Sequence, residues 1–263
     1  MVMKNFNEYN LNLAKSIDEK MFFVKELKLE EYDLIVDFGC ATGELIKRLD
    51  YIGLKTLNNK VNLIGYDLSK EMIEEAQKSS VSNNVIFTSD WEEIFEKVET
   101  GRYKKTMIIF SSVLHEIEEQ AQKEVIESIM PMFDTIVIRD MKRPLNNEPI
   151  SNETRKRCLK QVASWQAEIF EEKWGKITDK ENLYRFFLMN EFVENFETEV
   201  EEDYFSVMWS EIEWYLKGKG YETKYVQSYT LPYRKKQVSK RFNHDMQDIT
   251  HRKVIYDRKN AEN

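Results

Sequence analysis

The stretch Leu34-Ile35-Val36-Asp37-Phe38-Gly39-Cys40-Ala41-Thr42-Gly43 decides the fold of this 263-residue chain. An apolar run ends in an acid and a glycine turn, and Glu44-Leu45-Ile46-Lys47-Arg48-Leu49 then takes up helical spacing. Strand, tight glycine turn and helix is the order in which an open α/β sheet presents a nucleotide-binding loop. The glycines let the backbone approach a ligand closely. The spacing also excludes two alternatives. A dinucleotide fingerprint needs Gly-x-Gly-x-x-Gly, and no glycine stands between Gly39 and Gly43. A P-loop ends in Gly-Lys-Ser/Thr, and Gly43 is followed by Glu44.

Outward from this loop, strand-like and helix-like segments alternate over the first 140 residues. Leu34 to Phe38, Val61 to Tyr66, Asn84 to Thr88, Lys105 to Phe110 and Thr135 to Ile138 read as strands. Ala14 to Leu27, Gly43 to Ile52, Lys70 to Ser79 and Glu118 to Met130 read as helices. Such alternation predicts a parallel sheet with helices on both faces. Ser206 to Lys217 reads as a helix stopped by Gly218 and Gly220. Glu222 to Thr230 and Thr250 to Asp257 follow as two strands, and the basic loop between them suggests an antiparallel pair. Residues 145–205 do not fit a plain sheet. They are rich in rings (Trp165, Phe170, Trp174, Tyr184, Phe186, Phe187, Phe192, Phe196, Tyr204) and predict an inserted helical cap. An insertion after the fifth strand would overlie the C-terminal sheet edge, where open α/β folds bind ligands. The domain reading is an N-terminal helical segment (1–30), a core (31–144 and 206–263) and the cap (145–205).

The loop resembles motif I of the class I S-adenosylmethionine-dependent methyltransferases, an acid followed by Gly-x-Gly-x-Gly. Asp37, Gly39 and Gly43 match, and Ala41 replaces the middle glycine. The element order is similar to that family's Rossmann-like, seven-stranded, mostly parallel sheet, whose last strand is antiparallel. The resemblance covers 33–140 well and 206–258 loosely. It implies S-adenosyl-L-methionine as cofactor. Ile64-Gly65-Tyr66-Asp67-Leu68-Ser69 places an acid after the second strand, and a carboxylate there can accept from both ribose hydroxyls. In the family this acid does so, which implies that role for Asp67. Met72 would lie against the adenine ring, and Leu68 belongs to the same cofactor-binding segment. Asp90 would accept from the adenine amine, with Trp91 as a pocket wall. Ser111, in Phe110-Ser111-Ser112-Val113-Leu114-His115, would lie under the methionine portion, with Asp37, Gly39, Cys40, Ala41 and Gly43 of the loop completing the cofactor set. An acid after a strand is also a common helix N-cap, and Asp67 has that second reading. In many relatives a helix before motif I closes over the cofactor. Tyr9, Lys15 and Ser16 could serve there, while Phe22 and Phe23 read as docking residues.

Methyl transfer from a sulfonium needs in-line approach and exclusion of water. It needs a base only when the acceptor is protonated. His115, one of three histidines, lies just past the fourth strand and suits that role, since an unperturbed imidazole titrates at about 6.5. Its alternative is a side chain that points from a helix start into packing or solvent. Arg139 and Asp140, ending the fifth strand, could bind a polar acceptor or form structural ion pairs. His251 reads as structural. No cluster has zinc-ligand spacing, so no metal is expected. Asn/Asp-Pro-Pro-Tyr/Phe and Pro-Cys motifs are absent after the fourth strand. Ser-Ser-Val-Leu-His-Glu is more similar to small-molecule and some RNA methyltransferases.

The net charge of −8 argues against global attraction to nucleic acid or anionic membrane. Residues 191–213 hold nine acids and no base, yet Arg234, Lys235, Lys236, Lys240 and Arg241 cluster, as do Arg139, Lys142, Arg143, Arg155, Lys156, Arg157 and Lys160. These could bind phosphates of RNA or a nucleotide, with cap rings stacking on a base. The alternative is solvated loops and a packed cap. A small-molecule acceptor is favoured over RNA or a nucleotide. Two cysteines, one in the glycine turn, argue against a disulfide framework and for a reducing, cytoplasmic setting. No N-terminal apolar h-region or run of 18 apolar residues marks a secretion signal or membrane span. Two competing classes stay open: a non-catalytic cofactor-binding scaffold, and another nucleoside-binding enzyme such as a dehydrogenase. The cap could be a dimer surface instead of a lid, and the oligomeric state is not readable.

Overall fold

The computed structural model describes residues 17–56, 61–79, 85–100, 103–190, 196–247 and 249–259. Tyr9, Lys15, Ser16, Asn84 and Phe192 therefore lie outside the described residues. Seven strands form one sheet in the order β3-β2-β1-β4-β5-β7-β6. They are β1 (Leu34–Phe38), β2 (Asn62–Tyr66), β3 (Val85–Thr88), β4 (Thr106–Ser111), β5 (Thr135–Met141), β6 (Tyr221–Tyr229) and β7 (His251–Arg258). The first five pair in parallel. The last strand, β7, is antiparallel: Arg258 N–H donates to Asp134 at one end and Lys142 N–H donates to the Thr250 carbonyl at the other. Burial follows position. β4 and β5 are buried along their whole length, as central strands covered on both faces must be. β6, at the edge, is mostly open or half-buried.

The strand order reverses between β1 and β4, and such a switch point is where open α/β sheets bind ligands. Register then brings distant motifs level. Phe38 pairs with Tyr66 and with Phe110, Tyr66 pairs with Thr88, and Ser111 pairs with Arg139. The segments that follow β1, β2 and β4 therefore start at one edge.

Helices α1 (Glu44–Thr56), α2 (Lys70–Lys78) and α3 (Trp91–Glu99) connect the first four strands. The sequence reading missed α3, although Asp90 caps it and Trp91, Ile94, Phe95 and Val98 recur at helical spacing. α4 (Glu119–Glu124) continues into a π-helical turn, Val125–Ile129. The helix expected over Ala14–Leu27 is, in its described part, one α-turn at 17–20 followed by a 3₁₀ turn, Phe22–Lys25. Phe22 and Phe23 are buried in the core of the sheet, as docking residues should be.

Two compact units divide the described chain: 17–140, 208–226 and 253–259 form one, and 141–207 with 227–252 form the other. The second contains α5 (Asn152–Leu159), α6 (Ser164–Trp174), α7 (Lys180–Met189), α8 (Phe196–Glu199) and α10 (Pro232–Phe242), whereas α9 (Trp209–Gly218) belongs to the first. The expected basic loop before the last strand is thus a helix, α10. Its buried positions Arg234, Val238 and Phe242 recur every four residues, and Asn243 closes it in the left-handed conformation. Val238 and Phe242 join the core that holds Phe186 and Phe187, which is why 227–252 groups with 141–207 and not with the sheet. Phe170, Tyr184, Phe186, Phe187, Phe196 and Tyr204 are buried in that core. They pack the unit and are not a stacking surface for a base.

Candidate functional site

The glycine loop leaves β1 through three consecutive odd-numbered residues with positive φ: Gly39 at 76°, Ala41 at 47° and Gly43 at 78°. Ala41 therefore occupies the left-handed region that favours glycine, at a cost of about 1 kcal/mol. The two glycines are needed for space as well. A Cβ on Gly39 would lie 2.3 Å from Val113 Cγ2, and one on Gly43 would lie 2.3 Å from the Phe87 ring. The ring of Phe87, on β3, fills the place that side chains at Gly43 and Gly65 would need.

Asp67 ties this loop to the end of β2. Its Oδ2 accepts from Ala41 N–H at 2.8 Å and its Oδ1 from Ser69 N–H at 2.9 Å. It is not a helix N-cap: Ser69 caps α2, accepting from Met72 N–H. Of these two acids it is Asp90 that caps a helix, its Oδ1 accepting from Glu92 N–H at 3.0 Å. Each Asp67 oxygen carries a second lone pair, so the amides orient the carboxylate without exhausting it.

A cavity of about 570 Å³, part of it open to solvent, lies beside the loop. Asp37, Gly39, Cys40, Ala41, Asp67 and Ser111 of the expected cofactor set line it. Gly43, Leu68, Met72, Asp90 and Trp91 do not. Leu68 is 83% exposed, and Trp91 packs edge-on against Phe38 and Tyr66, at 5.5 and 5.2 Å between centroids. Ser112 and Val113, of the loop expected under the methionine portion, line it too, whereas the sequence reading missed Ile17, Lys20, Glu44, Leu45 and Glu116. For the first two a signal existed: three residues apart on one helical turn, they share a face just before the apolar Met21-Phe22-Phe23.

Electrostatics inside the cavity are unusual. Burial pushes the Asp37 carboxyl up to about 7, against the pull of Lys20 and with a further push from Asp67. Burial lowers the Lys20 ammonium to about 8, assisted by Arg139 and opposed by Asp37, Glu116 and Asp140. Glu116 is an exposed residue, yet protein crowds its carboxyl enough that desolvation raises its pKa, opposed mainly by His115. The Cys40 thiol is pushed well up by burial and by Asp37 and Asp67, which disfavours the thiolate. Ser111, a residue 6% exposed, lines the cavity, and its buried hydroxyl has no hydrogen-bond partner.

Beyond Val113 the loop is fastened to β5. Asp140, wholly buried, accepts from Val113 N–H at 3.1 Å and Leu114 N–H at 2.8 Å through Oδ2, while Oδ1 lies 2.6 Å from His115 Nδ1. Arg139 donates to Ser112 Oγ. β5 runs on to Met141, so these two residues lie within the strand instead of ending it. The expectation that they face an acceptor yields to a different use: both are buried and bonded to the 112–115 loop. His251 opens β7, buried, with Nδ1 2.8 Å from Thr250 Oγ1.

A family model described as a methyltransferase domain matches residues 29–198. No curated protein matches in sequence. The fold is similar to a solved S-adenosylmethionine-dependent methyltransferase from Anabaena variabilis (16% identity, 95% of this chain and 86% of that one, TM-score 0.52). It is also similar to one from Mesorhizobium loti (12% identity, 94% and 100%, TM-score 0.51). A third is the plantazolicin methyltransferase BamL, solved with a triazolic desmethylPZN analogue and S-adenosylhomocysteine (13% identity, 96% and 88%, TM-score 0.50). At these identities the likeness is one of fold.

Proposed function

The chain belongs to the methyltransferase-domain family, and from that membership we propose that it transfers a methyl group from S-adenosylmethionine to a small-molecule acceptor. The observation that carries the cofactor reading is Asp67, held by the Ala41 and Ser69 amides at the edge of a cavity that also contains the buried, unpartnered Ser111 hydroxyl. These groups suit a ribose and a polar amino-acid chain. When bound, the cofactor supplies an electrophilic methyl group on sulfur. Asp67 would hold the ribose hydroxyls, and the backbone of Gly39 to Ala41 would lie against the amino-acid end. Leu68, Met72, Asp90 and Trp91 are assigned to the adenine side. BamL, of similar fold and solved with S-adenosylhomocysteine, supports the identity of the cofactor.

His115 is assigned as the base. A carboxylate only accepts, so Nδ1 donates to Asp140 and the lone pair sits on Nε2, the atom that would take a proton from a hydroxyl or amine acceptor. Asp140 is then a positioning residue, fixing both the tautomer and the loop. A small acceptor is favoured because the rings of the second unit are consumed in its own core and the chain is acidic.

Calorimetric titration with S-adenosylhomocysteine on wild type and Asp67→Ala tests the cofactor reading. Micromolar binding, about −8 kcal/mol, abolished in the variant is expected; wild type that binds NAD instead would overturn it. His115→Ala should retain that binding and lose methyl transfer about a hundredfold. Binding without turnover on every acceptor pool would favour the scaffold.

A further inference from the structure

A second cavity lies within the unit formed by 141–207 and 227–252. It measures about 880 Å³, part of it open to solvent, and small-molecule sites run from roughly 300 to 1,000 Å³. Two segments build it: the end of α7 and the face of α10 on which Arg234, Val238 and Arg241 recur at helical spacing. Leu188, Val238 and Met246 form an apolar wall together with Phe187 and Phe242. The charged lining has one sign. Arg234, Lys240 and Arg241 contribute to it, and no acid does among the described residues. α10 as a whole carries five bases and no acid, so the local field is positive in a chain of net charge −8. Methyl transfer gives this basic cluster no task.

Arg241 is the informative member. It is half-buried, donates to the Asn190 carbonyl through Nη1, and its guanidinium lies 5.1 Å from the Phe242 ring centroid. That bond engages one of the five N–H donors of a guanidinium. No carboxylate pairs with it among the described residues, and burial alone acts on its pKa, downward. Two other arginines of the unit are neutralised: Arg155 by Glu171, and Arg185 by Glu181 and Asp203. A desolvated charge without a counter-ion is costly, and a bound anion would offset that cost. A guanidinium favours an oxyanion, because its planar fork holds two oxygens at once. Beside an apolar wall, such an anion fills the cavity only if it carries an apolar tail.

We propose that this cavity is a binding site for a small amphiphile with one anionic head, its tail along the apolar wall and its head on the Arg241 guanidinium. Lys240, exposed at the same cavity, adds a second positive charge that draws the head in. The guanidinium reads charge and oxygen geometry, so a carboxylate and a sulfonate both serve. The site stands independently of the cofactor reading, since no described residue lines both cavities.

The test is calorimetric titration of wild type, Arg241→Met and Arg241→Lys with octanoate, octanesulfonate and octanol. Wild type should bind octanoate saturably and prefer it to octanol by about tenfold or more, as a charge-assisted contact implies. Octanesulfonate should follow octanoate; binding of octanoate alone supports the site and narrows the head to a carboxylate. Arg241→Met should lose the preference while keeping its affinity for octanol, which also shows that the variant is folded. An unchanged preference in Arg241→Met overturns the proposal, as does wild type that binds none of the three. If Arg241→Met binds none, Arg241→Lys decides: a retained preference supports the pairing and a lost one rejects it. A membrane surface is the rival occupant, and adsorption to phosphatidylglycerol vesicles without octanoate binding would assign the basic helix to it instead.

Discussion

The two compact units bury polar groups in opposite ways. In the second, Arg185 is buried against Trp174 and Phe205, 4.3 and 5.2 Å from the ring centroids, and is neutralised on the spot by Glu181 at 3.2 Å and Asp203 at 2.8 Å. Around it stand rings packed on rings, Phe187 on Phe242 at 4.7 Å and Phe170 on Phe186 at 5.1 Å. In the sheet unit the core is largely aliphatic, and two acids hold loop backbone: the buried Asp140 two amides, the half-buried Asp67 two amides. One unit spends its polar groups on its own cohesion. The other spends them on shaping loops, at the cost of a strained Ala41 and two carboxyls pushed up by burial. Strain and perturbed titration of this kind collect where ligands bind.

The comparison breaks most visibly in the aromatic core. Phe186→Ala should cost about 4 kcal/mol in denaturant unfolding, with S-adenosylhomocysteine affinity held within about twofold; a large loss of affinity would mean that the division of labour is wrong. Asp140→Ala should cost about 3 kcal/mol, because it strands two loop amides and the imidazole. There the loss of methyl transfer should far exceed what the unfolded fraction explains.

A smaller effect follows from Asp37 and Lys20. Asp37 titrates near 7 instead of 3.8, so between those values the folded chain keeps a proton that the unfolded chain has released, and stability falls as pH rises. Lys20 titrates near 8 instead of 10.5; between those values the unfolded chain holds the proton, and stability rises with pH. The pair's contribution to Tm should pass through a minimum between about pH 7 and 8. Asp37→Asn should flatten the acid limb, which a Tm series on both proteins reads directly. The smallest effect belongs to Ala41→Gly. Relief of left-handed strain and the added entropy of the unfolded chain nearly cancel, leaving a change within about 0.5 kcal/mol. A loss above 1 kcal/mol would show that the Ala41 methyl packs where glycine cannot.

Much of the site was legible because local chemistry demanded it. Gly39 and Gly43 signalled positive φ, and an acid after β2 signalled a hydrogen-bond acceptor. Asp67 and Asp90 had the same sequence appearance, and only one caps a helix. Which one depended on Ser69 standing two residues after Asp67 to take the cap itself. α10 was read as a loop because its buried face includes Arg234, a charge that a hydrophobic pattern does not count.

Periodicity, turn chemistry and motif spacing thus determined the alternating α/β order, the glycine loop and the acid after β2, since each depends on residues within a few positions of one another, whereas the antiparallel last strand was implied by the family resemblance. Only the tertiary structure decided that Lys20 enters the cavity, that Asp140 serves the His115 loop, and that 227–252 joins 141–207. Those outcomes depend on pairs such as Glu19–Lys253 and His115–Asp140, far apart along the chain and brought together by sheet register and burial. No local pattern encodes which distant partner a buried charge will find.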